Sequence, residues 1–270
     1  MFVITGATGN VGRPLVEALL RGGHKVRALT RSPATADLPA GAEVADIADL
    51  PLAGATALFL NPAVTWDGPE ALLARAKTDG VRRIVTLSSS SALDPDNPLG
   101  GHHLALERAV EATGLEWTHV RPGAFASNTL DWADQIRAGG VVRGPYARAH
   151  ITPIHERDIA AVAAAALTGD DLVGARPLLT GPQSLTHADQ ARVIGEALGR
   201  EVRYEERPPA DAVADMVGRG APAPIAEALV GLWAEAVDRP EPVSPEVERI
   251  TGRPGLTFAA WAADHAGDFR

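Results

Sequence analysis

Apolar and polar positions in the first half of the chain follow two alternating rhythms. Phe2-Val3-Ile4 and the runs at 57–60 and 83–87 are short and largely apolar, the signature of buried strands, with 25–29 reading as a second strand and 42–45 as a weak third. Between them, residues 11–20 and 70–77 carry apolar positions at helical spacing, and Gly22-Gly23 stops the first of these. A further helix over roughly 99–112 ends at Thr113-Gly114 and leads into a strand at 116–120. Strands alternating with helices at this spacing predict a parallel sheet built from right-handed crossovers.

The rhythm loosens after Arg121-Pro122-Gly123. Residues 132–137 read as helix, 139–145 as turn-rich, 158–167 as an alanine-rich helix and 175–179 as one more strand. From Thr186 the pattern is mostly helical, broken by Pro208-Pro209, Pro222, Pro224 and Pro240. The expected class is α/β: a doubly wound, parallel-sheet Rossmann fold with a small, mostly helical C-terminal substrate lobe. The core is expected to comprise 1–123 with about 151–180, and the lobe about 124–150 with 181–270.

Composition narrows the function. The 270 residues contain no cysteine, which removes disulfides, thiolate metal sites and cysteine nucleophiles together. A net charge of −9 argues against a nucleic-acid partner. No apolar run is long enough for a membrane span, and the first residues lack a secretory pattern, so a cytoplasmic protein is expected. Lys25 and Lys77 are the only lysines, so any chemistry that needs a lysine has two candidates. The eight histidines show no metal-binding spacing, and no metal is expected.

Thr5-Gly6-Ala7-Thr8-Gly9-Asn10-Val11-Gly12 joins the first strand to the first helix. A turn that carries a pyrophosphate needs residues without Cβ where the phosphates approach, and the helix N-terminus then presents free N–H groups to them. A third glycine lets helix and strand pack closely. The alternative is a purely structural glycine turn, and the strand–turn–helix context weighs against it. At the end of the second strand, Leu29-Thr30-Arg31-Ser32-Pro33 lacks the acid that would repel a 2′-phosphate. Arg31 offers a bidentate fork and Ser32 a hydroxyl, so NADP(H) is favoured over NAD(H). Arg31 as a plain surface arginine is the competing account.

The G-x-x-G-x-x-G spacing resembles the extended or atypical branch of the short-chain dehydrogenase/reductase superfamily. Together with His103-Leu104-Ala105-Leu106-Glu107-Arg108, Arg121-Pro122-Gly123 with Phe125 and Asn128, and Ile154 to Ala160, it resembles the NmrA-like group. The similarity runs over most of the chain, to Thr251-Gly252-Arg253-Pro254 and Leu256-Thr257-Phe258. That group contains NAD(P)H-dependent quinone reductases and non-catalytic nucleotide sensors. The resemblance implies that Asp46-Ile47 lie at the adenine and Leu60-Asn61 along the cofactor, and it adds Pro122, Gly123 and Phe125 to the cofactor site.

Ketone-reducing members of the superfamily carry Tyr-x-x-x-Lys on the helix after the fifth strand, with an acid often four residues further on. Taking Glu107 as that acid puts His103 at the lysine position and Leu99 at the tyrosine position, so both catalytic places depart from the pattern. His103, with His102 beside it, is a candidate proton relay. The competing account pairs His103 with Glu107 one turn on. Ser88 and Ser89 end the fifth strand where a doubly wound sheet opens its cleft, Ser88 beside the cofactor and Ser89 as a catalytic hydroxyl. Trp66, Phe125, Trp132, Tyr146 and Trp233 are candidate walls of an aromatic-accepting pocket, although core packing is the usual fate of such residues.

The expected function is NADPH-dependent hydride transfer to a quinone or conjugated carbonyl. The expected partner is an aromatic or quinone-like small molecule, with a homodimer left open. The alternative is a non-catalytic NADP(H)-sensing or protein-binding module.

Overall fold

A computed structural model describes every residue except Trp66 and Asp67. Seven strands form the central sheet: β1 (Phe2–Ile4), β2 (Val26–Thr30), β3 (Glu43–Asp46), β4 (Ala57–Leu60), β5 (Arg83–Leu87), β6 (Glu116–Pro122) and β9 (Leu178–Leu179). Their order is β3-β2-β1-β4-β5-β6-β9, and all pairings are parallel. The order reverses between β1 and β4, which opens a ligand crevice at their carboxyl ends.

Both faces of this sheet are covered, as the nearly continuous apolar strands require. One core unites Ile4, Leu15, Phe59, Val85 and Val120 with Ile159, Val162 and Ala163, so α1 (Gly12–Arg21) and α5 (Glu156–Thr168) share a face. The other unites Val3, Leu29, Leu58 and Ile84 with Leu72, Leu106 and Val110 of α2 (Glu70–Thr78) and α3 (Pro98–Glu111). The strands expected at 57–60 and 83–87 form over those residues. The one expected at 175–179 pairs as a strand only at Leu178–Leu179, although the Ala175 and Pro177 carbonyls already accept from β6 amides.

The remaining part is less purely helical than its sequence suggests. β7 (Val141–Gly144) lies in the stretch that reads as turns, and it pairs in parallel with β11 (Arg203–Glu206). β8 (His150–Ile151) pairs antiparallel with β10 (Leu185–Thr186). Around them, α4 (Ala133–Gly139), α6 (His187–Leu198) and α10 (Phe258–Asp264) build a separate core on Ile136, Val142, Ile194, Phe258 and Trp261. α8 (Ala223–Asp238) packs on β8 and reaches α3, bringing this layer to the carboxyl end of the sheet. The segment around α9 (Glu246–Thr251) instead returns to the sheet: the Ser244 hydroxyl donates to the Leu178 carbonyl, and Val247 joins the α1/α5 core.

Candidate active site

The crevice is built around the turn between β1 and α1, where each glycine meets a different demand. Gly6 has φ +63°, and a Cβ there would lie 2.7 Å from Asn61 Nδ2. A Cβ on Gly12 would lie 2.1 Å from the Gly6 carbonyl oxygen, so helix and strand pack with no room for a side chain. Gly9 makes no such demand, because its Cβ would meet only the Gly6 carbonyl oxygen, at 3.3 Å. Thr8, Gly9 and Asn10 are exposed at the tip of the turn. No side chain caps α1. The Arg13 amide donates to the Gly9 carbonyl and Pro14 has none, so the amides left without a backbone acceptor at the start of α1 are those of Asn10, Val11 and Gly12. The Val11 side chain is in the core, which leaves its main chain as its contribution to the crevice.

Thr5 joins the two strands at the crossover point. Its hydroxyl donates to the Phe59 carbonyl at 3.0 Å and accepts the Asn61 amide at 2.8 Å. Asn61 Oδ1 accepts the Ala63 amide, which fixes the start of the next turn. The Leu60 side chain is buried in the core, so only its main chain borders the crevice. At the other end, Asp46 closes β3 and spends one carboxylate oxygen on the Ala48 amide, with Ile47 half-buried beside it. Arg31 and Ser32 are exposed at the end of β2, and Arg31 makes no ion pair among the described residues. Exposed glycine at the turn, the Asn10, Val11 and Gly12 amides without a backbone acceptor, and an unpaired arginine at the tip of β2 fit a dinucleotide carrying a 2′-phosphate.

Beyond β4 along the same edge, β5 runs into Ser88 and Ser89. The Ser88 hydroxyl is buried and donates to Glu107 Oε1, so Ser88 offers the crevice only its main chain. Arg121 grips the same carboxylate with Nε at 2.9 Å from Oε1 and Nη2 at 2.6 Å from Oε2. Burial works against the Glu107 charge, but the Arg121 fork and the Ser88 hydroxyl outweigh it and hold the carboxyl below its ordinary range. Glu107 is therefore a clamp between α3, β5 and β6, and the expected alternative of a His103–Glu107 pair does not form.

His103 is half-buried, and its Nδ1 is buried with no hydrogen-bond partner among the described residues. Burial and the neighbouring His102 lower its pKa against the opposing pull of Glu107, so the imidazole is neutral near pH 7. Ser89 is half-buried and caps the 3-10 turn Ser90–Leu93. Gly123 and Phe125 follow the buried Pro122 at the end of β6. The Phe125 ring packs on the α1/α5 core. Asn10 Nδ2 donates to Ser127 Oγ at 3.2 Å, tying the glycine turn to the segment after β6.

The aromatic candidates separate. Tyr146 and Trp233 pack with Ala124 just beyond β6, near the crevice. Trp132 turns into the lobe core and meets His187 and Tyr204 edge-on. Trp66 lies outside the described residues. Among the described residues one cluster has metal-ligand geometry: Glu107, Glu111 and His119. Arg121 and Arg176 already neutralise its carboxylates, Arg176 lying 2.6 Å from Glu111, and burial lowers the His119 pKa to about 4. Its carboxylates are thus spent on arginine pairs, with a neutral His119 beside them.

The histidine motif at 154–160 is also structural. His155 Nδ1 accepts the Arg157 amide and caps α5. Asp158 is buried, pairs with Arg253 at 2.7 Å and accepts the Leu256 amide at 2.6 Å. Glu156 faces His265 at 2.7 Å. These contacts clasp the C-terminal segment to α5.

A parallel sheet with a glycine turn at its crossover point, an unpaired arginine beyond β2 and a half-buried hydroxyl and imidazole beyond β5 define a dinucleotide-dependent oxidoreductase. A family profile described as NAD(P)H-binding matches residues 6–170, and the chain belongs to that family. It is 38% identical over 283 residues to the (4-alkanoyl-5-oxo-2,5-dihydrofuran-3-yl)methyl phosphate reductase of Streptomyces griseus, covering 100% of this chain and 99% of the relative. It is 34% identical over 284 residues to the NAD(P)H azoreductase of Xenophilus azovorans, with the same coverage. The NADPH complex of quinone oxidoreductase QOR2 from Escherichia coli superposes with a TM-score of 0.80 at 26% identity, over 98% of this chain and 99% of that one. The chain is an NAD(P)H-dependent oxidoreductase of that family. The non-catalytic alternative gives way to this reading.

Proposed function

We propose that this chain uses NADPH to reduce an electron-poor conjugated acceptor, either a quinone or a conjugated carbonyl compound. The observation that carries the reading is the face of α3. Leu99, His103 and Glu107 follow one another at one-turn spacing, and Glu107 is committed to Arg121 and Ser88. No phenol stands where a simple ketone would need a proton donor. The tyrosines lie elsewhere: Tyr204 donates to the Pro145 carbonyl, and Tyr146 packs with Trp233.

NADPH supplies a hydride, leaving as NADP⁺, and a solvent proton completes the reduction of the acceptor. A conjugated acceptor spreads the incoming charge into a hydroquinone-type or enolate anion, a much weaker base than an alkoxide. The donors this chain offers, the Ser89 hydroxyl and neutral His103, suit that weaker demand. A missing oxyanion donor costs about 3–4 kcal/mol with an isolated ketone, a rate factor of roughly a hundred to a thousand. The names of the relatives agree with this: an azo compound, a quinone and an alkanoyl-substituted oxo-dihydrofuran are all conjugated acceptors.

Thr8, Gly9 and Asn10, with the Val11 and Gly12 amides, hold the pyrophosphate, and Arg31 with Ser32 holds the 2′-phosphate. Asp46, Ile47 and Asn61 flank the adenosine half, while Gly123, Phe125 and His103 flank the nicotinamide half. Tyr146 and Trp233 form the aromatic wall. The working division is a core of 1–123 with about 151–180, and a lobe of about 124–150 with 181–270. No helix among the described residues is long and apolar enough to cross a membrane, and we place the protein in the cytoplasm with a small-molecule partner, a homodimer being compatible.

The test is NADPH consumption with quinones, azo dyes and enone-type lactones beside isolated ketones. Turnover of the conjugated set with little turnover of the ketones is expected. Efficient reduction of isolated ketones, or none of any acceptor, overturns the reading.

A further inference from the structure

The turn after β5 holds three oxygen atoms in a row. Ser89 Oγ accepts the Ser91 amide at 3.2 Å and lies 2.9 Å from Ser91 Oγ. Ser91 Oγ in turn lies 3.2 Å from the carbonyl oxygen of Leu99, the first-turn residue of α3 where a phenol is missing. The heavy atoms are fixed. A Cβ on Gly100 would lie 2.2 Å from the Ser91 carbonyl oxygen, so α3 is seated against this turn without slack. Asn97 Oδ1 accepts the Leu99 amide at 2.9 Å, and the Ser89 carbonyl accepts the Ala92 amide at 3.1 Å.

A hydroxyl carries one proton and two lone pairs, so two proton arrangements fit these distances. In the first, Ser89 donates to Ser91 and Ser91 donates to the Leu99 carbonyl, which closes the chain and leaves no donor for the crevice. In the second, Ser91 donates to Ser89, whose oxygen then accepts from both the Ser91 amide and the Ser91 hydroxyl. The Ser89 proton must then point away from the turn. The two arrangements differ by rotation of two hydroxyl protons with no heavy-atom movement.

We propose that Ser91 is a positioning residue, a hydroxyl switch that turns Ser89 into an oxyanion donor as negative charge develops on the acceptor. The proposal rests on the reductase reading, which puts the acceptor in front of Ser89. Before reduction the closed chain satisfies itself. When the acceptor becomes anionic, the second arrangement gains a charge-assisted hydrogen bond, strengthened because Ser91 polarises the donor. The interaction is made only once charge has developed, which is the condition for it to raise rate and not merely binding.

The experiment compares wild type with Ser91→Ala, Ser91→Thr, Ser89→Ala and the Ser89→Ala/Ser91→Ala double variant. Two readouts are used: kcat and KM for NADPH, and the acidity of 4-nitrophenol bound in the presence of NADP⁺, titrated by absorbance. Ser91→Ala should lower kcat about five-fold, the rate equivalent of one ordinary hydrogen bond, with KM for NADPH unchanged. Ser89→Ala should lower it on the order of ten- to a hundred-fold, and the double variant should match Ser89→Ala alone. Bound 4-nitrophenol should be most acidic in wild type, less so in Ser91→Ala and least in Ser89→Ala, with Ser91→Thr restoring wild-type behaviour. Equal acidity in all variants, or a double variant lower than Ser89→Ala by the full Ser91→Ala factor, overturns the switch. The phenol titration needs no turnover, so a chain that reduces no conjugated acceptor fails the reductase reading separately.

Discussion

Replacing Gly9 by valine separates cofactor binding from folding, because the three turn glycines are required for different reasons. The new Cβ would meet only the Gly6 carbonyl oxygen at 3.3 Å, a contact relieved by a few tenths of an ångström. Gly9 is exposed at the turn tip, so the two methyl groups extend into the crevice where the pyrophosphate would lie. Pushing the phosphates off two amide donors forfeits about 1.5–3 kcal/mol for each charge-assisted hydrogen bond. The sum is roughly 3–6 kcal/mol, or about a hundred-fold to ten-thousand-fold in Kd. Gly12→Ala is the control with the opposite signature. Its Cβ would sit 2.1 Å from one backbone atom and 2.8 Å from two others, none of which can rotate aside. Overpacking of that kind costs about 1–3 kcal/mol, a fall in Tm of roughly 2–10 °C. Calorimetric titration with NADPH and thermal unfolding of both variants check the pair. Wild-type affinity in Gly9→Val would refute a phosphate role for the turn. A Tm loss in Gly9→Val as large as that of Gly12→Ala would refute the division of labour between the two glycines.

Three further outcomes follow from groups elsewhere in the site. Arg31→Ala should weaken NADPH binding by about 1.5–3 kcal/mol and leave NADH binding and Tm nearly unchanged, since Arg31 is exposed and makes no ion pair among the described residues; equal loss for both nucleotides would sink the assignment. Glu107→Leu leaves the Arg121 cation buried without its partner and should cost about 3–5 kcal/mol, while Glu107→Leu with Arg121→Met should recover most of it; no recovery in a denaturant titration would count against the clamp. Because the folded Glu107 pKa is depressed below its ordinary 4.5, its contribution is full above that value and fades as pH falls through the lower folded value. Wild-type stability should therefore drop more steeply than that of the double variant below about pH 4.5, and parallel curves would contradict this linkage.

What the sequence revealed depended on how local the determining interaction is. The glycine turn and the strands at 57–60 and 83–87 are legible because a few adjacent residues decide them. The β7–β11 pairing is not, because Val141 to Gly144 and Arg203 to Glu206 lie some sixty positions apart and carry turn-like or charged residues. The Glu107 clamp was hidden for a related reason. Glu107 and Arg121 each belong to a separate family-like motif, and only the packing of α3 on β6 shows that one serves the other. The apparent His103–Glu107 pairing rested on helical spacing alone, and spacing says nothing about a stronger partner on the adjacent strand.

The same reasoning sorts structural from chemical residues among motifs that look alike on the page. His155, Glu156 and Asp158 form a conspicuous polar run, yet each holds a partner inside the protein, His155 the Arg157 amide, Glu156 His265, and Asp158 both Arg253 and the Leu256 amide. A side chain whose hydrogen-bonding capacity is already used inside the protein cannot bind a ligand without breaking what it holds. Capacity remains at the Asn10, Val11 and Gly12 amides, at Arg31, at His103 Nδ1 and, in one of its two proton arrangements, at Ser89. These groups lie at the carboxyl ends of β1, β2 and β5 and on the helix after β5, along the path a dinucleotide takes across such a sheet. A partner already held inside the protein, and not the polar residue type, is what separates the clasp at the start of α5 from the groups that line the crevice.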